Sequence, residues 1–176
     1  MFRNDVNLVS RERFIDAMRQ VAASVTVVTT DGPGGRHGAT VSAFSSVSAD
    51  PPTVLVCLYA DSRIARAVQK NGRFCVNVLG EDSAEIADRF AGRHDARITD
   101  RFSGIDCYGA AGQAPLIDGA TGFHVHVQQM VRSGSHVIVI GHVRDVLTGT
   151  GKPLAYRNGS YHRVVPRDGA ASQAMN

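Results

Sequence analysis

Two long runs, "GFHVHVQQMVRS" and "SHVIVIGHVRDVLT", are rich in β-branched residues and meet at Ser133-Gly134. A serine-glycine pair between such runs is a hairpin signal, which makes the two strands antiparallel neighbours. The same pattern recurs on both sides of them. "SVTVVTT" ends at "DGPGG", whose glycines and proline turn the chain into a strand around His37 to Ser42. "PLAYRNGSYHRV" holds two short strand pieces around an Asn-Gly turn, and "RFCVNVL" reads as one more strand. In "PPTVLVCLYA", Val54, Val56 and Leu58 fill one alternation and Leu55, Cys57 and Tyr59 the other, the pattern of a strand buried on both faces.

Helices are few. "SRERFIDAMRQVA", Ser10 to Ala22, places Phe14, Met18, Val21 and Ala22 on one stripe behind a Ser10 cap, which predicts an amphipathic helix. "SRIARAVQKNG" predicts a second, with Ile64, Ala67 and Val68 inward and a stop at Asn71-Gly72. A short third covers roughly Ser83 to Phe90 and leads into a polar loop, "AGRHDARITDRFSG". Hairpin-joined strands without regular β-α-β alternation exclude a doubly wound fold and predict a mostly β, antiparallel barrel decorated by helices.

At 176 residues, 43% hydrophobic and 20% charged, the chain has the size and composition of one globular domain, expected over residues 1–165, with a disordered tail over 166–176. Its apolar runs fall far short of the roughly 20 residues that span a bilayer, so no membrane association is expected. Charges at Arg3, Asp5, Arg11, Glu12 and Arg13 interrupt the N-terminus, which does not read as a signal peptide and leaves the cytoplasm as the expected location. The net charge of +3 is scattered rather than clustered, with no Trp and only 6% aromatics, so no nucleic-acid partner is expected. A basic pocket for a phosphorylated small molecule gives the same balance. Cys57, Cys75 and Cys107 are odd in number and far apart, and read as buried free thiols.

The glycine cluster "GPGGRHG" fails as a dinucleotide fingerprint, because His37 stands at the third glycine position and a strand follows. His124 and His126 share a strand face, but no Asp or Glu lies between Asp118 and Asp145, so they read as core or hydrogen-bonded histidines and no metal is expected. "GATVSAFSSVSADPP" is more informative. Its small hydroxyls let a ligand approach the backbone, so that main-chain N–H groups and Ser42, Ser45, Ser46 and Ser48 together suit an extended polar chain or a phosphate. A serine-rich edge strand or turn explains the same composition. "DSR", Asp61 to Arg63, opens the second helix, where free N–H groups and an arginine suit a phosphate; as an alternative, Asp61 or Ser62 merely caps that helix.

Taken in order, "GATVSAFSSVSADPPTVLVCL", "DSR", "NGRFCVNVL", "GSHVIVIGHV" and "PLAYRNGSYHRV" resemble the flavin reductase family with the FMN-binding split barrel, the small reductase components of two-component flavin monooxygenases. The resemblance runs from about Phe14 to Val164. It implies a six-stranded antiparallel Greek-key barrel, a homodimer, and reduction of FMN or FAD by NADH or NADPH for a separate monooxygenase component. It further implies that Thr40, Val41 and Ser42 meet the flavin ring edge and ribityl chain, that Ser45, Ser46, Val47 and Ser48 continue towards the phosphate, and that Ser62 and Arg63 bind the phosphate. Pro51 and Cys57 shape the ring site, and the loop from Phe90 to His94 closes over the flavin. His136, the candidate catalytic residue, matches the histidine of the family's Gly-Asp-His motif near the nicotinamide, and Tyr161 an aromatic beside it. Ser135 replaces the motif's aspartate, so the orientation of His136 must come from elsewhere. Arg157 meets a nucleotide 2′-phosphate or faces solvent. Two other readings stay open, an FMN-dependent oxidase of the pyridoxamine phosphate type and a non-catalytic flavin-binding protein.

Overall fold

The computed structural model describes residues 8–110 and 112–167. From residue 168 onward, the tail expected to be disordered lies outside the described residues. The chain begins with α1, Arg11–Met18, capped by Ser10, whose hydroxyl accepts from the Arg13 N–H. This helix stops four residues before Ala22, and none of its residues is buried; Phe14, Met18 and Val21 are all about half exposed. The expected apolar stripe therefore joins no core cluster among the described residues. The turn at Arg19 is held instead by polar bonds, with the Asn158 N–H donating to the Arg19 carbonyl and Arg157 to Gln20.

Strands follow in hairpins: β1, Ala23–Ser24; β2, Thr26–Thr30; β3, His37–Val41; β4, Phe44–Ala49; and β5, Pro52–Tyr59. After α2, Arg63–Asn71, come β6, Arg73–Val78, and α3, Ala84–Phe90. Two-residue strands β7, Cys107–Tyr108, and β8, Leu116–Ile117, precede the long hairpin of β9, Thr121–Ser133, and β10, His136–Leu147. The last pair is β11, Leu154–Arg157, and β12, Ser160–Arg163, turning at Asn158 and Gly159, both at positive φ as the Asn-Gly signal requires.

The mostly β, antiparallel architecture is the expected one. Its main sheet has seven strands in the order β3-β2-β6-β9-β10-β5-β4, with every pairing antiparallel. The count exceeds six because the serine-rich stretch itself pairs with β5. The two outermost strands, β3 and β4, are consecutive in the chain, and the Cys57 N–H of β5 donates at 3.0 Å to the carbonyl of Ala43 in the link that joins them. The sheet therefore curls until its edges approach, and the barrel is split along β3.

Inside the curl, Val28, Val56, Leu58, Phe74, Val125 and Val139 form the main core, closed at one end by Ile64, Ala65 and Val68 of α2. Asn71 at the end of α2 donates to Thr30 Oγ1 and the Gly35 carbonyl and accepts from the Gly34 N–H, locking the β2–β3 turn onto the helix. A second cluster, including Val27, Leu79, Ala87, Phe90 and Phe102, seats α3 against the other face of β2. β5 is not buried on both faces: Val54, Val56 and Leu58 point inward, but Leu55 and Cys57 are half-buried and Tyr59 is exposed. Among the described residues no layer covers that outer side.

Candidate functional site

The split runs along β3, whose outer edge has no strand partner among the described residues. Backbone groups on such an edge are open to another bonding partner. Two cavities lie along it. The larger, of about 710 Å³, is lined by Arg36, Gly38 and Ala39 before and along β3, by Ser62 and Arg63 at the start of α2, and by Arg101. The smaller, of about 160 Å³, is lined by Thr40, Val41 and Ser42 at the other end of β3, with Arg93, Tyr156 and Tyr161 opposite. One strand thus joins a basic cavity to an aromatic one.

The basic cavity owes its charge to which arginines are neutralised. Arg101 is tied to Asp95 by two bonds, at 2.9 Å and 2.6 Å, and also donates to the Phe90 carbonyl. The Arg101 hydrogen bond holds the Asp95 carboxyl below its usual range. Arg36 and Arg63 form no ion pair among the described residues; Arg36 lies over the Phe102 ring, 4.2 Å from its centroid. The Ser62 hydroxyl is committed to capping α2, donating to the Tyr59 carbonyl and accepting from the Ala65 N–H. What this helix start offers an anion is the Arg63 side chain and the first-turn N–H groups, which have no acceptor inside a helix. A cationic cavity at one end of β3 and an aromatic-walled one at its other end fit a mononucleotide-sized anion carrying a flat ring, and the larger volume lies within the usual range of small-molecule sites.

Of the residues expected at the site, Thr40, Val41, Ser42 and Tyr161 share the smaller cavity, and Ser62 and Arg63 the larger. Thr40 is also anchored, its hydroxyl donating to the Ala87 carbonyl of α3 at 2.6 Å. Cys57 lines neither cavity; its backbone N–H donates to the carbonyl of Ala43, the neighbour of Ser42. Ser45, Ser46, Val47 and Ser48 line neither cavity; they are exposed on the hairpin strand β4, and Ser48 bonds both backbone groups of Asp50 in the turn that also holds Pro51. Phe90 needs correcting. It is 1% exposed and stacks edge-on against Phe102 at 4.9 Å, so its ring belongs to the core and cannot cover a ligand. The loop does form a wall of the larger cavity, through Asp95 and Ile98 to Phe102 rather than through His94, whose carbonyl caps a turn.

On the nicotinamide side, His136 stands at the β9–β10 tip, edge-on to Tyr59 with ring centroids 5.9 Å apart. It lines neither cavity with Tyr161. The missing aspartate is answered by its replacement, since Ser135 Oγ lies 2.9 Å from His136 Nδ1 and orients the ring. Arg157 is occupied by the Gln20 carbonyl and side chain at the α1 junction. His124 and His126 are not core residues: they lie on the outer face of β9 beside Arg73, Arg144 and Asp145, because that end of the sheet faces solvent. Cys75 is a buried thiol, pushed up to about 12 by burial, whereas Cys57 and Cys107 are only half-buried. Sequence reasoning missed Arg36, Arg93 and Arg101, which come from turns and loops with no periodic signal, and Asp88, which lies on the short helix α3.

A flavin reductase like domain matches residues 18–165 of the chain. The FMN reductase (NADH) RutF of Ancylobacter novellus is 40% identical over 158 residues, covering 89% of this chain and 86% of that protein. The 4-hydroxyphenylacetate 3-monooxygenase reductase component of Salmonella typhimurium is 36% identical over 158 residues, covering 88% and 92%. Among solved structures, the NADH:FAD oxidoreductase SgcE6 of Streptomyces globisporus, in complex with NAD and FAD fragments, superposes with a TM-score of 0.81 at 28% identity, covering 93% of this chain and 99% of that one. The flavin reductase PheA2 superposes with a TM-score of 0.80 at 30% identity, covering 90% and 100%.

Proposed function

The chain belongs to the flavin reductase-like family, and on that premise we propose that it is an NAD(P)H-dependent flavin reductase supplying reduced FMN or FAD to a separate monooxygenase. The observation that carries the reading is the pair of cavities joined by the open edge of β3, cationic at one end and aromatic at the other. Bound flavin supplies the hydride-accepting ring chemistry. The chain's own residues bind and orient. Arg36, Arg63 and the first turn of α2 hold the phosphate, the β3 backbone from Gly38 to Ser42 meets the polar chain and ring edge, and Tyr156 and Tyr161 wall the cavity where two rings stack. Ser45 to Ser48 continue that surface along β4. His136, steadied by Ser135, borders the start of α2 through Tyr59 and receives the nicotinamide nucleotide from that side.

The reading includes a homodimer. Leu55, Cys57, Ile138 and Ile140 are paired across β5 and β10 on the outer face, with exposed Val131 and Tyr59 beside them, an apolar stripe that a second copy of the chain covers. We place one domain over residues 1–165 in the cytoplasm; no helix among the described residues is long and apolar enough to cross a membrane. The test is the rate of NADH and of NADPH oxidation under air by purified protein with no flavin, FMN or FAD. Oxidation that requires added flavin and saturates with it is the expected result, and nucleotide loss unaffected by flavin overturns the reading.

A further inference from the structure

Three side chains from separate elements meet at the wall of the smaller cavity. Tyr161 of β12 donates its hydroxyl proton to Asp88 Oδ1 of α3 at 2.6 Å, and Arg93 Nη1 lies 3.0 Å from the same oxygen. Tyr156 packs against the Tyr161 ring at 5.5 Å between centroids, which fixes the ring plane. A carboxylate facing a guanidinium has only acceptor oxygens, so the tyrosine proton is committed to Asp88. The Tyr161 oxygen keeps only its lone pairs for the cavity. Burial first, then the bond to Asp88, push the Tyr161 hydroxyl up to about 12, so the oxygen remains a neutral phenol over the ordinary pH range.

We propose that Tyr161 is a dedicated hydrogen-bond acceptor for an amide-type N–H on one of the two rings that meet in this cavity, with Asp88 as the positioning residue that sets its polarity. The inference rests on the flavin reductase reading. Both rings of that reaction carry such a donor, the carboxamide NH₂ of the nicotinamide and the imide N3–H of the flavin. A site built to bond an N–H discriminates against an analogue that lacks it, because the acceptor is then left without a partner.

The experiment compares steady-state kcat/KM in two arms for the unaltered protein, Tyr161→Phe and Asp88→Asn. One arm pairs NADH with its 3-acetylpyridine analogue, in which a methyl ketone replaces the carboxamide; the other pairs FMN with N3-methyl FMN. Intrinsic differences in ring reactivity cancel when the ratio in one arm is compared between proteins. Tyr161→Phe is expected to reduce the preference for the N–H-bearing compound about fivefold to tenfold in one arm only, and the arm that moves identifies the ring. Asp88→Asn replaces an acceptor-only carboxylate by an amide that can also donate, so the direction of the Tyr161 hydroxyl is no longer fixed; it is expected to move the same ratio mainly through KM, with kcat changed less. Should Tyr161→Phe fail to fold, Asp88→Asn carries the comparison alone. Unchanged ratios in both arms, with flavin-dependent NADH oxidation intact, overturn the inference and leave the reductase reading standing. Absence of that oxidation in the unaltered protein overturns both.

Discussion

Removing the Arg63 guanidinium separates phosphate recognition from ring recognition. Arg63 opens α2, is exposed, lines the larger cavity and forms no ion pair among the described residues. Two unit charges about 4 Å apart attract by about 1 kcal/mol in bulk water and about 4 kcal/mol at an effective dielectric constant of about 20. For an exposed arginine the lower part of that range applies, about 1 to 2 kcal/mol after screening. Arg36 and the helix start remain, so the loss is partial. Arg63→Ala is therefore expected to raise the KM for FMN by about 5-fold to 30-fold, the conversion of that energy into a binding constant. Riboflavin has the same ring and no phosphate, so its KM is expected to stay within about twofold, the error of neglecting small rearrangements. Saturation curves of NADH oxidation against FMN and riboflavin measure both. Added salt supplies a second signature, weakening the FMN preference of the unaltered protein more than that of the variant. Equal changes for FMN and riboflavin, or no change for FMN, refute the assignment of the phosphate to the start of α2.

Three further outcomes are expected. Asn77 is fully buried, donates to the Val27 carbonyl and Thr29 Oγ1, and accepts from the Ile117 N–H at 2.7 Å; Asn77→Ala strands these groups and lowers unfolding free energy by about 3 to 5 kcal/mol in a urea titration. A midpoint unchanged by that substitution contradicts the network. Because Tyr161 titrates near 12 when folded, above the ordinary 10.0, its contribution to stability is complete below pH 10.0 and is lost as pH rises through about 12. Thermal melts across that window are expected to show a decline that is smaller in Tyr161→Phe. A Cβ at Gly141 meets the His126 carbonyl oxygen and Val125 Cγ1 at 2.5 Å, so Gly141→Ala forces β10 from β9 and destabilises by about 1 to 3 kcal/mol, read from a denaturant midpoint.

The hairpins were legible because their signals are local. Ser133-Gly134 and Asn158-Gly159 announce backbone conformations that neighbouring residues cannot change, and Gly134, Asn158 and Gly159 all have positive φ. The stop at Gly72 is of the same kind: its φ of 66° closes α2 and returns its N–H to the Val68 carbonyl. Burial was less legible. An apolar run says that a surface prefers cover without saying what covers it, so the outer side of β5 and the stripe of α1 read as packed faces, yet both face outward in the single chain.

The site divides along the same line. Thr40 to Ser42 and Arg63 stand in stretches whose composition already favours a ligand, and they line the two cavities. The groups that tune those cavities carry no such mark. Asp95 and Arg101 sit six residues apart in a loop that has no period, while Asp88 and Tyr161 are separated by 73 residues and join only because the fold brings α3 against β12. Phe90 shows the converse error. The family resemblance placed it in a loop that closes over the flavin, but Gly38 leaves a space on β3 that Phe90 fills, a Cβ there standing 2.4 Å from the ring. The residue that carries β3 past the larger cavity is therefore small for the sake of the core beneath it, and the open edge that a ligand would use follows from how α3 packs.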